Sequence, residues 1–346
     1  MTKKVLITGG AGFVGFNLCK ELLNKNYEIT IIDNFSRPND DEDFVYVKEH
    51  QNTTFIKGDL TKRETFESLP KNHFDYIYHL AAFNGTGNFY KYPDKVLKAG
   101  VLSMIYLLDW LSPQDKGKIL FTSSSETYAG TLNVLGEDNF PIPTPETIPL
   151  SIDDVTNVRW SYGSGKLVSE VALYCYRQAT GFDRFSIVRL HNIFGPRMGF
   201  EHVVPQFVER IIKKEFPFKI YGGQETRSFC YIEDVLDSII RIMESDKTNG
   251  EIINVGNDDE EVKIIDLAKM LFDIAGLDIE FDIQPAPDGS VSRRCPDISK
   301  LKSLGYKKIN TLKDGLKKTY KWYTENYEWY SKKYTKGGYN AKWNKK

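Results

Sequence analysis

The chain has 346 residues, enough for a large core plus a second lobe rather than one small domain. A formal net charge of -1 with 27% charged residues gives no global pull toward nucleic acid or a membrane surface, which leaves small molecules as the expected ligands. The four cysteines, Cys19, Cys175, Cys230 and Cys295, lack the paired spacing of a disulfide framework or a metal site, and no apolar run approaches the roughly 18 residues that cross a bilayer, so a soluble, cytoplasmic protein without a metal is expected.

The start Met1-Thr2-Lys3-Lys4 runs into a buried strand over residues 3 to 8 rather than into a signal sequence. A glycine-rich turn follows, then a helical pattern from Phe13 to Lys25 and a second strand from Tyr27 to Ile32, closing a β-α-β unit on Asp33. Further buried strands are predicted at 54–57, 75–79, 119–122 and 185–189, with helical stretches between them. This alternation points to an α/β fold, a Rossmann-type doubly wound parallel sheet. The stretch from Asp94 to Trp110 is apolar nearly all round, which fits either an interior helix or a subunit contact.

Between Gly130 and Val158 the pattern breaks around Pro141, Pro143, Pro145 and Pro149, which predicts a long loop serving as a lid or as a surface excursion. Beyond residue 191 the strands become sparser and a smaller mixed lobe is expected. The predicted organisation is a dinucleotide-binding domain over 1–190, with elements returning from 230–255, and a substrate lobe over 191–326. A basic, aromatic tail over 327–346, containing Tyr334, Tyr339 and Trp343, reads as solvated rather than as a nucleic-acid patch.

Gly9, Gly12 and Gly15 have separate tasks in such a turn: a tight bend, close backbone approach to a pyrophosphate, and close packing of helix on strand. Phe13 and Val14 open the helix behind them. The motif follows a strand, opens a helix and is trailed by Asp33 and Asn34, the context that makes it specific for a dinucleotide. Asp33 can accept hydrogen bonds from the adenosine ribose hydroxyls, and its charge would repel a 2′-phosphate, so NAD is expected rather than NADP. Farther on, Tyr162 and Lys166 stand four apart on one helical face, placing an ammonium near a phenol. A neighbouring cation is one of the few ways to bring a phenol down from its ordinary pKa of about 10.

The glycine motif, Gly58-Asp59-Leu60, His79-Leu80-Ala81-Ala82, Thr122-Ser123-Ser124-Ser125-Glu126 and Tyr162-x-x-x-Lys166 together resemble the extended short-chain dehydrogenase/reductase family that modifies nucleotide sugars. The resemblance runs from about residue 3 to 325, and its motifs occur in order. It implies that Asp59 and Leu60 hold the adenine, that Leu80, Ala81 and Ala82 line the path to the nicotinamide, and that Tyr162 and Lys166 grip its ribose.

It further implies a first step in which the Tyr162 phenolate takes a proton from a sugar hydroxyl, usually at C4, while hydride leaves to NAD and Ser124 hydrogen-bonds the same oxygen. Once C4 is a ketone, a C5 proton becomes acidic and a C6 carboxylate becomes a β-keto acid. Glu126 is therefore expected either as a base near C5 or as a structural carboxylate. Ser125 stands where 4,6-dehydratases carry an acid, and Arg159-x-x-Tyr162 is similar to the lead-in of UDP-glucuronate decarboxylases. By the same resemblance Asn192, Arg227 and Arg294 would bind the substrate diphosphate and Tyr221 would lie near the base, with Ser125 also on the substrate. The expected activity is decarboxylation of a nucleotide hexuronate, with 4-epimerisation, 4,6-dehydration or C5 epimerisation as alternatives and a non-catalytic dinucleotide-binding regulator as a remote one. A homodimer through the helices at Asp94–Trp110 and Tyr162–Thr180 is also implied.

Overall fold

Lys4–Thr8 (β1) is a strand whose Val5, Leu6 and Ile7 are wholly buried, the unbroken apolar run of a sheet covered on both faces. Five more strands follow it: β2 (Glu28–Asp33), β3 (Thr53–Lys57), β4 (Tyr76–His79), β5 (Lys118–Ser124) and β6 (Phe185–Leu190). With Glu251–Val255 they form a seven-stranded sheet in the order Glu251–Val255, β6, β5, β4, β1, β2, β3, and β1 through β6 pair in parallel. The doubly wound sheet expected from the alternating pattern is present. In the computed structural model residues 2–37, 40–69, 74–111, 117–286 and 291–336 are described. None of the helices among them is long and apolar enough to cross a membrane.

The chain forms two compact units. The first contains Met1–Leu135, Ile148–Leu190 and Leu236–Ile253, and the second Gly136–Thr147, His191–Val235 and Asn254 onward. The chain thus crosses between them after residues 135, 147, 190, 235 and 253.

In the first unit, one face of the sheet buries Leu6, Ile77, Ile119, Phe121 and Ile187 against Leu107, Leu108 and Leu173 from the helices Pro93–Trp110 and Trp160–Thr180. These two helices approach closely because glycine faces glycine: a Cβ on Gly100 would stand 3.4 Å from the Gly165 Cα. Ser169 stitches the seam, donating to the Gly100 carbonyl at 3.2 Å and to its own Gly165 carbonyl at 2.8 Å. Glycine inside a helix costs about 1 kcal/mol relative to alanine, so close packing must offset that loss here. Leu97, Ile105, Val168 and Val171 remain exposed on the same two helices. The returning segment is tied to β5 by Lys118, buried to 1% exposure, whose ammonium donates to the carbonyls of Ile242 (2.9 Å) and Ser245 (2.6 Å) at the end of the helix Ile232–Glu244.

The predicted loop at 130–158 is shorter than expected, since Ala129–Leu135 is helical. All four prolines lie beyond that helix, so nothing interrupts its hydrogen bonds. Thr131 ties it down by donating to the Pro149 carbonyl at 2.6 Å.

The second unit uses short strands. Ile193–Phe194 pairs in parallel with Cys230–Tyr231, and Phe218–Tyr221 in parallel with Phe281–Gln284. Thr226–Ser228 lies between Glu261–Lys263, antiparallel, and Arg293–Arg294, parallel. The C-terminal helix Leu312–Lys336 runs through the first part of the stretch expected as a tail. It does so because Tyr323 and Tyr330 are fully buried and pack on Phe200 at 5.5 Å. Tyr339 and Trp343 lie outside the described residues, as does the side chain of Tyr334.

Candidate functional site

In a parallel sheet the carboxyl ends of the strands all open on one edge, and where neighbouring connections run to opposite faces they leave a crevice for ligands. The residues expected to bind the cofactor follow those ends one after another: the glycine turn after β1, Asp33 and Asn34 at the end of β2, Asp59 and Leu60 after β3, Leu80 to Ala82 after β4, and Ser124 to Glu126 at β5. β1 lies between β2 and β4, the switch point of the order.

The glycine turn is specified by contact. Gly9 has φ +75°, and a Cβ there would stand 2.8 Å from the Ala81 Cα. A Cβ on Gly15 would meet the Gly9 carbonyl at 2.2 Å, so the helix Phe13–Asn24 can press on the turn only as glycine. Gly12 caps that helix and offers no side-chain acceptor to its first N–H groups, the arrangement that receives an anion at a helix N-terminus. Asp33 accepts from the Ala11 amide at 3.1 Å and the Phe35 amide at 2.8 Å, so it also holds the turn. Burial raises its carboxyl above the usual range, opposed by those amides and by Arg37. The Asn34 and Asp59 side chains accept from Ser36 and Thr61, respectively, within local turns. These features fit a dinucleotide: donors at the helix start, no side chain in the bend, and a carboxylate at the next strand.

Tyr162 and Lys166 lie in the first turns of Trp160–Thr180, where Phe89 stacks on the Tyr162 ring at 5.0 Å and 11°. Ser124 lies beside the phenol and acts to lower its pKa. In the ligand-free chain the phenol is nonetheless not acidified. Burial dominates and, with the Glu126 charge, pushes the phenol up to about 12 against the lowering effects of Ser124 and Arg37. Lys166 does not offset this, because its ammonium donates to the Thr122 carbonyl at 2.6 Å and stands 5.7 Å from the Tyr162 ring centre.

Burial also brings Lys166 down from 10.5 to about 7, with Glu170 opposing the shift. The unfolded lysine titrates near 10.4, so between about pH 7 and 10.4 the unfolded chain binds more protons and stability rises with pH. The burden of the ammonium is thus complete below about pH 7 and fades at higher pH. We expect ligand-free Lys166→Met to melt above the parent at pH 6, with the gap narrowing by pH 9. A gap independent of pH in thermal unfolding would contradict this.

Ser124 caps the short 3-10 turn Ser125–Tyr128 by accepting from the Glu126 amide at 3.2 Å. Ser123 donates to the Glu170 carboxylate at 2.5 Å. Glu126 pairs with Arg159 at 3.4 Å, both about one-quarter exposed. Ser125 is half-buried in the same turn.

Sequence reasoning missed the layer beneath. Glu170 is 4% and Arg189 2% exposed; Arg189 donates to both oxygens of Glu170, at 3.0 and 2.6 Å, and to the Tyr128 hydroxyl at 2.8 Å. One buried ion pair therefore joins the helix of Lys166, the end of β5 and the turn carrying Glu126. The spacing Lys166 to Glu170, one helical turn, was the available signal. His79, fully buried, is hydrogen-bonded to Thr8 at 2.9 Å and Ser103 at 3.2 Å, and burial lowers it to about 3, so it stays neutral.

In the second unit, Asn192 (φ +40°) donates to the Ser228 carbonyl at 3.2 Å, and the strand register sets Arg294 beside Arg227. Arg227 is engaged by Glu225 at 3.0 Å and the Thr226 carbonyl at 2.8 Å. Tyr221 is exposed and stands on a different pair of strands. The first three are thus grouped, and Tyr221 is not joined to them by strand pairing.

Residues 5–256 match the model of the NAD dependent epimerase/dehydratase family. The chain is 32% identical to a UDP-glucuronic acid decarboxylase of Arabidopsis thaliana over 319 residues, covering 90% of this chain and 87% of the relative. Among solved structures, a UDP-glucuronic acid 4-epimerase of Bacillus cereus, determined with UDP-glucuronic acid and NAD, is 26% identical with a TM-score of 0.76, covering 93% of this chain and 99% of that one. A UDP-glucose 4-epimerase of Thermotoga maritima, determined with UDP-glucose, is 27% identical with a TM-score of 0.78, covering 94% and 100%.

Proposed function

Because the chain belongs to the NAD-dependent epimerase/dehydratase family, we propose that it uses NAD to oxidise C4 of a UDP-hexuronate and then releases carbon dioxide from the 4-keto sugar. The observation that carries this reading is the placement of Tyr162 beside Ser124 at the carboxyl end of β5, with Lys166 anchored one helical turn away and the glycine turn after β1. Gly9, Gly12, Phe13, Val14, Gly15, Asp33, Leu60, Leu80, Ala81 and Ala82 would hold NAD, which would supply a hydride acceptor and positive charge. Such a charge would bring down the phenol, which burial raises, toward the range in which it serves as a base.

Tyr162 takes the C4 hydroxyl proton, and Ser124 fixes the oxygen so that proton and hydride leave together. Glu126, oriented by Arg159, faces the chemistry that follows at C5 and C6. Ser125 offers no acidic proton for a leaving hydroxyl, so loss of water is not the expected course. The likeness to a UDP-glucuronic acid decarboxylase and to a UDP-glucuronic acid 4-epimerase supports a UDP-hexuronate substrate. The second reading, 4-epimerisation without loss of carbon, is favoured by the solved relatives.

Incubation of the purified protein with UDP-glucuronate, UDP-glucose, UDP-N-acetylglucosamine and dTDP-glucose, followed by mass spectrometry, tests the proposal. Loss of carbon dioxide from UDP-glucuronate supports it. An unchanged mass with inverted C4 by NMR establishes the second reading, and no reaction with any of the four refutes both.

Leu97, Ile105, Val168 and Val171 form exposed apolar positions on two packed helices, a surface that suits a self-complementary dimer. Val171→Asp is expected to convert a dimer to a monomer in analytical ultracentrifugation. An unchanged sedimentation mass would reject this surface.

A further inference from the structure

The segment Gly195–His202 leaves the strand Ile193–Phe194, which begins directly after Asn192, and enters the helix Val203–Ile212. Its backbone is unusual. Arg197, 5% exposed, has φ +66°, a left-handed conformation that a non-glycine residue adopts only when its surroundings impose it. The surroundings here are the C-terminal helix. Tyr330 donates to the Arg197 carbonyl at 2.7 Å and to the Met198 carbonyl at 3.3 Å, and the Tyr323 hydroxyl donates to the Met198 carbonyl as well. Phe200 packs on both of these rings, 5.5 Å from each, and the two rings stand 5.7 Å from one another.

The helix is itself seated on the strands next to Asn192. A Cβ on Gly315 would stand 2.8 Å from the Phe194 ring and 2.9 Å from Tyr231, so the helix lies as close to those strands as glycine allows. Lys318 stands 5.3 Å from the Tyr231 ring centre.

A trans peptide points its carbonyl and its N–H in opposite directions. With the carbonyls of Arg197 and Met198 turned to the helix, the N–H groups of Met198 and Gly199 are turned away from it. Asn192, grouped with Arg227 and Arg294, immediately precedes this segment.

We propose that Tyr323 and Tyr330 are positioning residues that hold Gly195–His202 in the conformation that binds the diphosphate of the nucleotide sugar. The inference rests on the reading of the second unit's Asn192, Arg227 and Arg294 as substrate-binding. The hydroxyls do not touch substrate; they act through the carbonyls of Arg197 and Met198. It also gives the aromatic character of this helix a function beyond packing.

The test is the pair Tyr323→Phe and Tyr330→Phe, which keeps both rings and removes both hydroxyls. Two neutral hydrogen bonds together correspond to about a tenfold effect or more, so the double variant should raise the KM for the nucleotide sugar about tenfold, with kcat and NAD affinity changed by less than about twofold. UDP binding by calorimetry should weaken in parallel. A KM and UDP affinity within about twofold of the parent would overturn the proposal, as would an equal loss of NAD affinity, which marks a general loss of structure. If the double variant is insoluble, Tyr330→Phe alone is measured, with about threefold expected and no change overturning the proposal. A parent that binds UDP but turns over no sugar rejects the reaction and leaves the latch to be decided by the UDP affinities. A parent that does not bind UDP removes both.

Discussion

Tyr162→Phe should lower turnover of the nucleotide sugar by about a thousandfold while leaving NAD binding and the melting temperature close to the parent's. Positioned acid–base groups are typically worth about 10²–10⁴ in rate, and this phenol is the group that removes the hydroxyl proton in the proposed reaction. The structure indicates why the variant stays folded: phenylalanine keeps the ring that stacks on Phe89 at 5.0 Å. The Ser124 hydroxyl continues to cap the 3-10 turn through the Glu126 amide. NAD binding by fluorescence and kcat by mass spectrometry separate the two effects. Turnover within about threefold of the parent would exclude Tyr162 as the base.

The largest stability effect is expected at Arg189, away from the reacting atoms. Arg189→Met leaves Glu170 buried with the Ser123 hydroxyl and the more distant Lys166 charge to compensate it, and breaking a buried ion pair from one side typically costs about 3–5 kcal/mol. Replacing both members by apolar side chains of similar volume should recover part of that loss, because the uncompensated carboxylate is then gone as well. Denaturant unfolding of the ligand-free protein measures both. A single-variant effect below about 1 kcal/mol would show that the pair contributes little to the fold.

Much of the first unit was legible in the sequence because parallel strands buried on both faces carry unbroken apolar runs and because the glycine turn has a fixed place after the first of them. β1 through β6 fall where those runs predict, within a residue or two. The start of the proline-rich stretch was read as loop since its prolines dominate the pattern, although Ala129–Leu135 precedes all of them and is helical. The phenol shows the deeper limit. Spacing places Lys166 on the face of Tyr162, but it does not reveal that the Thr122 carbonyl captures the ammonium or that burial outweighs neighbouring charge. The pairing of Glu170 with Arg189 was missed for a related reason: Glu170 stands one turn from Lys166, but 19 positions separate it from Arg189, and the packing of β6 behind the helix of Lys166 joins them. Tyr330 was read with a basic, aromatic tail because lysines follow it, whereas the period along the helix puts its ring, with that of Tyr323, on the buried side.

The five crossings of the backbone between the two compact units bear on how this protein can be engineered or diversified. Neither unit corresponds to one continuous stretch of gene, so a single cut yields fragments that each lack pieces of their own core. A chimera that takes its second unit from a relative must exchange three separate segments together and match their ends at every junction. Change of specificity by small substitutions inside a fixed scaffold is accordingly the more accessible route than recombination of whole modules.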